Sequence, residues 1–281
     1  MDRINKIAIG KLIESYSVLL LDAYGVLVHS SGALPGAARL IDSLNRNKKP
    51  YYIVTNDASK LPATSSRSFQ SFGLAITPDR IITSGSLLVE YFAGNQLKDA
   101  PCAVLGPEDS TRYVELAGGR VVAARDPFEV LVIGDESGYP FLETVDTVLS
   151  GLFKKIDSGA NVHLVLPNPD LIYPKADNSF GIASGSIALI LEAALQRRYP
   201  DRPEFKFARL GKPHAAIFRE ALKRSGTRDM VMIGDQLETD IRGAAEFELD
   251  AVLANTGIAN VNLNDIDKSL RPTYYLDSLA L

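Results

Sequence analysis

Apolar segments alternate with amphipathic segments along most of the chain. The apolar run at residues 18–21 stops at Asp22, and a glycine turn follows. A run that is apolar throughout is typical of a strand buried on both faces of a parallel sheet. Other short apolar runs alternate with segments whose apolar residues recur at helical spacing. This alternation of strand and helix predicts right-handed βαβ crossovers, and therefore an α/β protein with a Rossmann-like, doubly wound parallel sheet.

The alternation runs through three successive blocks and predicts two domains. In the outer blocks we expect strands at 50–54, 80–83, 230–233, 251–254 and 273–275, and helices at 37–47, 64–72, 215–224 and 238–247. In the middle block we expect strands at 103–105, 121–123, 130–133 and 162–166, and helices at 111–116, 141–154 and 186–196. A middle block of this size is typical of a domain in its own right. We therefore predict a discontinuous core domain, 1–83 with 206–281, and a smaller inserted α/β cap domain, 84–205.

Composition narrows the classes of function. The chain has 281 residues, of which 46% are hydrophobic, and a net charge of −4 with no lysine- or arginine-rich block. Nucleic acid is therefore not an expected partner, because its phosphates require a basic surface. Cys102 is the only cysteine, which excludes an intrachain disulfide. The N-terminal apolar run is too short to span a bilayer and lacks the pattern of a signal peptide, so we expect a cytoplasmic protein with no membrane partner.

Candidate chemical groups lie at four places, of which three follow apolar runs and one opens a helix. In chain order they are Asp22; Thr55, Asn56 and Asp57; Lys212 within Gly211-Lys212-Pro213; and Asp235 with Asp240 beyond it. Each segment alone is as typical of a turn or a helix start as of a functional site. Parallel strands, however, place their chemistry at their carboxyl ends. In this order the set resembles the four sequence motifs of the haloacid dehalogenase (HAD) superfamily.

The position of the inserted domain refines this resemblance. About thirty residues separate Asp22 from Thr55, which is enough for one crossover helix but not for a domain as well. About one hundred and fifty residues separate Asn56 from Lys212, so the insertion lies there. Within the superfamily this position marks the second type of cap, and an α/β cap resembles that of the class IIA branch, which includes 4-nitrophenyl phosphatases.

The resemblance implies phosphate chemistry. Asp22 would attack phosphorus and form an aspartyl-phosphate that water then hydrolyses. Mg²⁺, a hard ion that prefers oxygen ligands, would be held by Asp22, Asp235 and the backbone carbonyl of the residue at position 24. Lys212 would stabilise the negative charge of the transition state, and Asp240 would orient Lys212 or a metal-bound water. Thr55, with Asn56 and Asp57 in the same loop, would bind the phosphate.

Tyr24 departs from the family pattern. Phosphatases of the superfamily usually carry a second aspartate two residues after the nucleophile, which protonates the leaving oxygen. General acid–base help of this kind is typically worth about 10²–10⁴-fold, so Tyr24 predicts slow turnover unless another group, such as Asp57, substitutes. Two alternatives stay open. One is a 2-haloacid dehalogenase, which needs no leaving-group acid, and the other is a non-catalytic protein that binds a phosphate ligand.

The cap contains the segment that we expect to contact the substrate. The resemblance implies a small phosphate ester, with a sugar phosphate as one possibility, and a homodimer as a further possibility. A proline-stiffened segment of the cap, Leu166-Pro167-Asn168-Pro169-Asp170, resembles the class IIA segment that selects the substrate. We therefore assign Asn168 and Asp170 to substrate binding, although a run of this composition is also typical of a turn.

Overall fold

A computed structural model describes residues 4–29, 31–175, 179–255, 266–267 and 270–281. It divides the chain into two compact units. The first unit comprises Met1–Thr55, Pro62–Ile82 and Lys212–Leu281, and the second comprises Asn56–Leu61 and Thr83–Gly211. Three stretches thus belong to the second unit although the sequence prediction had placed them in the core domain: residues 56–61, Thr83 and residues 206–211.

The strands and helices alternate through both units. The strands are β1 (Asn5–Lys6), β2 (Val18–Leu21), β3 (Val28–His29), β4 (Gly32–Ala33), β5 (Tyr51–Thr55), β6 (Ile81–Thr83), β7 (Pro101–Leu105), β8 (Arg120–Val121), β9 (Val130–Ile133), β10 (His163–Leu166), β11 (Ile172–Pro174), β12 (Phe180–Ile182), β13 (Ala208–Arg209), β14 (Met230–Gly234), β15 (Asp250–Ala254) and β16 (Tyr274–Leu276). The α-helices are α1 (Ile9–Ser15), α2 (Ala37–Arg46), α3 (Pro62–Ser71), α4 (Leu88–Gly94), α5 (Glu108–Leu116), α6 (Phe141–Asp157), α7 (Ser184–Arg198), α8 (Ala215–Ser225) and α9 (Arg242–Glu246).

The sheet of the first unit has the strand order β1-β16-β15-β14-β2-β5-β6. Strand β2 lies near its centre and pairs in parallel with β14 on one side and β5 on the other. All four residues of β2 are buried, as the apolar run predicted. In the register of these strands, Leu21 lies beside both Ile233 and Ile53. The residues that follow these three positions therefore emerge at the same edge of the sheet.

The second unit has its own parallel sheet, with the order β13-β10-β9-β7-β8. Its hydrophobic core packs residues of β7, β9 and β10 against α6 and α7, and is separate from the core of the first unit. A short antiparallel hairpin, β11 with β12, follows β10. The predicted α/β fold class is thus confirmed. Among the described residues, no helix has the length and apolarity that crossing a membrane requires.

The main local difference from the sequence prediction lies after β14. We expected one helix over 238–247, but the chain forms a π-helical turn, Leu237–Ile241, before α9. The backbone N–H of Ile241 donates to the carbonyl of Gln236, five residues back, at 3.2 Å. Such π turns are rare and occur frequently at functional sites. This one carries Asp240.

Candidate active site

Asp22 lies directly beyond the buried strand β2. Its backbone N–H donates to the carbonyl of Ile233 at 2.9 Å, so the backbone of Asp22 continues the pairing of β2 with β14. Its side chain is buried with only 6% of the residue exposed. The carboxylate is therefore held at the edge of the sheet, out of bulk water, where the sequence pattern predicted it.

Lys212 joins two of the predicted aspartates. Its Nζ donates to Oδ1 of Asp22 at 2.7 Å and to Oδ1 of Asp240 at 2.6 Å, and all three side chains are buried. The other carboxylate oxygen of Asp240, Oδ2, accepts a hydrogen bond from the backbone N–H of Gln236 at 3.2 Å. Asp240 thus contacts both Lys212 and the π turn, which is the geometry expected of a residue that orients the lysine.

Burial and charge both act on the titration of this cluster. Burial raises the pKa of Asp22 above its usual range; the Lys212 ammonium opposes this shift, while the carboxylates of Asp240 and Asp235 add to it. Burial by itself would lower the pKa of Lys212, but the carboxylates of Asp22 and Asp240 outweigh it and raise that pKa. Lys212 is therefore a permanent cation at neutral pH.

A divalent cation fits the three carboxylates of this cluster. Asp22, Asp235 and Asp240 are buried, and each offers a carboxylate oxygen within 4.8 Å of the others. Three carboxylates against one ammonium leave a formal excess of two negative charges, which one divalent cation would neutralise. The chain also keeps this space open, because a Cβ on Gly25, whose φ is +84°, would lie 2.2 Å from Oδ2 of Asp235. Oxygen donors alone favour a hard ion.

Thr55 and Tyr24 lie at the same edge of the first unit's sheet. Thr55 is the last residue of β5 and is buried. Tyr24 lies in the turn after Asp22, with 42% of the residue exposed. Three backbone bonds shape that turn: the N–H of Gly25 donates to the carbonyl of Val28, and the N–H groups of Leu27 and Val28 both donate to the carbonyl of Ala23. The first unit therefore collects Asp22, Tyr24, Thr55, Lys212, Asp235 and Asp240 from its predicted set.

The remaining predicted residues belong to the second unit. Oδ1 of Asp57 accepts hydrogen bonds from the N–H and the hydroxyl of Ser59, both at 2.7 Å. The amide Nδ2 of Asn56 donates to Oδ1 of Asp170 at 2.9 Å, and Oδ1 of Asn168 accepts from the N–H of Asp170 at 2.9 Å. Four residues assigned to substrate binding thus take part in hydrogen bonds within their own unit.

Two residues of the site were missed by the sequence analysis. Gln236 supplies the backbone N–H that holds Asp240, and Gly25 supplies the space beside Asp235. In the sequence, Gly25 is only part of a turn after Asp22. A side chain is excluded there by Asp235, which follows β14 and lies far away in the chain. Gln236 contributes only its backbone N–H to this contact, so the type of its side chain does not indicate the role.

The fold and the site together define an α/β enzyme in which a buried aspartate–lysine cluster lies at the carboxyl edge of a parallel sheet. The comparisons with known proteins agree. The model of the family described as haloacid dehalogenase-like hydrolase matches residues 19–120, and a second model, described as HAD-hydrolase-like, matches residues 209–281. The chain belongs to the HAD superfamily, in its class IIA branch, and it is a phosphatase-like hydrolase.

Similar proteins extend over almost the whole chain. A dihydroxyacetone phosphatase of Corynebacterium glutamicum is 29% identical over 263 residues, which cover 93% of this chain and 88% of that protein. An acid sugar phosphatase of Staphylococcus epidermidis is 25% identical and covers 95% and 96% of the two chains. Among solved structures, a possible sugar phosphatase of Cytophaga hutchinsonii has a TM-score of 0.85 and 28% identity, and covers 99% of both chains.

Proposed function

We propose that this protein is a Mg²⁺-dependent phosphatase of a small phosphate monoester, such as a sugar phosphate, and that it acts through an aspartyl-phosphate on Asp22. The buried cluster of Asp22, Lys212, Asp240 and Asp235 carries the proposal, because it combines a nucleophile, a permanent cation and a set of oxygen ligands. The names of the similar proteins, which include a dihydroxyacetone phosphatase and acid sugar phosphatases, support a small phosphorylated substrate.

Each residue has a definite part in this reaction. An Asp22 carboxylate oxygen attacks phosphorus, the bond to the leaving alcohol oxygen breaks, and the leaving oxygen takes a proton from water. A second water then attacks the phosphorus of the aspartyl-phosphate and gives up a proton to solvent, which releases inorganic phosphate and restores the Asp22 carboxylate. Lys212, held between Asp22 and Asp240, offsets the negative charge on the phosphoryl oxygens. Thr55 and the backbone of Asn56 bind those oxygens. Asp22, Asp235 and the carbonyl of Tyr24 would hold Mg²⁺, which neutralises charge on the phosphate when bound.

Tyr24 sets the expected rate. A backbone carbonyl at position 24 serves a cation whatever the side chain, whereas the proton donor that an aspartate would provide there is lost. Alkyl phosphates, whose leaving alkoxides are strongly basic, should therefore react slowly, while aryl phosphates with acidic leaving groups should react faster. Asp57 stays the candidate for a substitute donor, as the sequence predicted.

The test compares an aryl phosphate with a panel of sugar phosphates, with Mg²⁺ and after its removal by a chelator. We expect Mg²⁺-dependent release of phosphate, with the aryl ester much faster. The Tyr24→Asp variant should raise turnover of the sugar phosphates by about 10-fold or more and change the aryl ester little, whereas Tyr24→Phe should match the wild type on both.

Other outcomes select the alternatives. Release of halide from 2-haloacids without phosphatase activity would identify a dehalogenase. Tight retention of inorganic phosphate without turnover of any ester, in both the wild type and Tyr24→Asp, would identify a binding protein. The predicted cytoplasmic location and the homodimer stay predictions, for which cell fractionation and light scattering are the measurements.

A further inference from the structure

The chain passes between the two units at four peptide bonds, and three of these passages involve residues that contact one another. Asn56 is the first residue of the second unit after Thr55, Ser84 lies just beyond the passage at 82/83, and Gly211 is the last residue before Lys212. We call Asn56, Ser84, Asp170 and Gly211 the Asn56 cluster. All four belong to the second unit.

Asn56 lies at the centre of this cluster. It is buried, with 5% of the residue exposed, and its backbone carbonyl accepts a hydrogen bond from the hydroxyl of the buried Ser84 at 2.7 Å. Its side-chain Nδ2 donates to Oδ1 of Asp170 at 2.9 Å. Its side-chain Oδ1 packs so closely on Gly211 that a Cβ there would lie 2.4 Å away. One asparagine therefore joins three segments that are far apart in the sequence.

The backbone of Asp170 is also hydrogen-bonded at both its N–H and its carbonyl. Its backbone N–H donates to Oδ1 of Asn168 at 2.9 Å, and its carbonyl accepts from the N–H of Gly185 at the start of α7, also at 2.9 Å. Within the same loop the carbonyl of Pro167 accepts from the N–H of Gly211 at 2.9 Å. The loop 167–170 and the segment that ends at Gly211 are thus tied to each other by backbone bonds and to Asn56 by the side chain of Asp170.

We propose that the side chains of Asn56 and Asp170 position the backbone rather than contact the substrate, and that their hydrogen bond fixes the chain next to Thr55 and Lys212. The proposal rests on the function proposed above. Thr55 directly precedes Asn56 and Lys212 directly follows Gly211, so a shift of the Asn56 cluster is passed to both residues through covalent bonds. This placement matters because a misplacement of about 1 Å can cost roughly 10²-fold in rate.

A positioning role for the side chains of Asn56 and Asp170 replaces the substrate contact that the sequence predicted. The two roles predict different effects of substitutions on different substrates. A contact with the alcohol part of the substrate would matter for a sugar phosphate and much less for an aryl phosphate. A positioning pair acts on the residues around the phosphoryl group, which all substrates share. Its loss should therefore lower turnover of both esters by the same factor.

The experiment uses the full-length enzyme and replacements of Asp170. Asp170→Ala should lower kcat/KM about tenfold or more on both esters, whereas Asp170→Asn, whose carbonyl can accept the same bond from Asn56, should stay within about threefold of the wild type. In the Asn56→Ala background, Asp170→Ala should have little further effect, because the bond is already lost. Asp126→Ala, at an exposed aspartate of the same unit, is the control and should behave as the wild type.

Three results would overturn the proposal. Asp170→Asn could lose as much as Asp170→Ala, the loss could be confined to sugar phosphates, or the effects of Asn56→Ala and Asp170→Ala could be additive. A second readout needs no turnover: hydrogen exchange of the backbone amides at position 170 and at Gly211 should speed up in Asp170→Ala and Asn56→Ala but not in Asp170→Asn. If the wild type hydrolyses no phosphate ester, the proposed function fails, and the exchange measurement still decides whether the Asn56 cluster holds these segments.

Discussion

The two units carry the same three residues at the end of a central strand and use them differently. Ile233-Gly234-Asp235 closes β14 in the first unit, and Ile133-Gly134-Asp135 closes β9 in the second. Asp235 is fully buried among Asp22 and Asp240. Asp135 is partly exposed, and its Oδ1 accepts hydrogen bonds from the N–H and the hydroxyl of Ser137. Asp235 is thus part of a cluster of buried carboxylates, whereas Asp135 stabilises a local turn.

A strand that ends in Gly-Asp therefore becomes part of a site only through the residues of its neighbouring strands. In the first unit the adjoining strand β2 ends at Asp22, and Lys212 supplies a cation between carboxylates. In the second unit the strand beside β9 on one side ends at Leu105 and is followed by Gly106. A buried carboxylate requires a partner or a metal, whereas a turn carboxylate is satisfied by its own backbone.

Matched replacements of Asp22 and Asp135 should differ most in their effect on activity. Asp22→Asn removes the nucleophile, and we expect phosphate release to fall by about 10³-fold or more. Asp135→Asn, the matched change in the second unit, should leave kcat within about twofold, since Ser137 can still donate to the amide oxygen. Initial rates on an aryl phosphate measure both. Equal losses in the two variants would mean that Asp135 also takes part in the reaction.

The ion pairs of the two units offer a second contrast. Lys212→Met would leave the buried carboxylates of Asp22 and Asp240 without their cation, and breaking a buried pair in this way costs about 3–5 kcal/mol. Arg209→Met in the second unit breaks a partly exposed pair with Glu192 and should cost about 1 kcal/mol. Urea denaturation of the metal-free protein gives both values. A loss for Lys212→Met no larger than that for Arg209→Met would show that the carboxylates are protonated rather than paired.

A third and weaker contrast concerns the pH dependence of stability that comes from Glu136, the residue after Asp135 in the second unit. Burial, together with the charges of Asp135 and Asp57, raises the pKa of Glu136 from its ordinary value of 4.5 to about 7. Because the raised value belongs to the folded state, the folded protein binds more protons than the unfolded chain between these values, and ionisation of Glu136 lowers stability as pH rises through this window. Glu136→Gln removes that loss.

The Glu136→Gln variant should therefore gain in melting temperature relative to the wild type between about pH 5 and about pH 8, by roughly a few degrees. Glu238→Gln, in the first unit, is the control: no comparable gain is expected from this exposed side chain. A difference between Glu136→Gln and the wild type that does not change with pH would place the pKa of Glu136 outside this window.

Much of the fold follows from local patterns. Strand β9 was predicted at 130–133 and is observed as Val130–Ile133, because four consecutive apolar residues between polar turns leave little choice. Helix α1 was not predicted. It has only seven residues, buries Ile9 and Leu12, and has no side-chain N-cap, so its sequence carries few of the features that mark a helix. Helix α1 is stabilised by packing on the first core.

The candidate site was predictable as a set of residues but not as a set of contacts. Asp22, Thr55, Lys212 and Asp235 are recognisable because each follows an apolar strand or opens a helix in a particular order. The pairing of Asn56 with Asp170 joins residues 114 positions apart and has no local pattern. The same holds for Gln236, whose contribution is a backbone N–H in a π turn.

The order of buried strands, the residues at their ends and the family of the chain follow from the amino-acid sequence, because hydrophobic periodicity and turn chemistry act between near neighbours in the chain. Which Gly-Asp end became part of a buried charged cluster, and which closed a turn, depended on the folded arrangement of distant segments. It also decided that Asn168 and Asp170 bond within their own unit. Coulomb and hydrogen-bond energies depend on distances of a few ångströms between atoms, and folding alone brings distant segments that close.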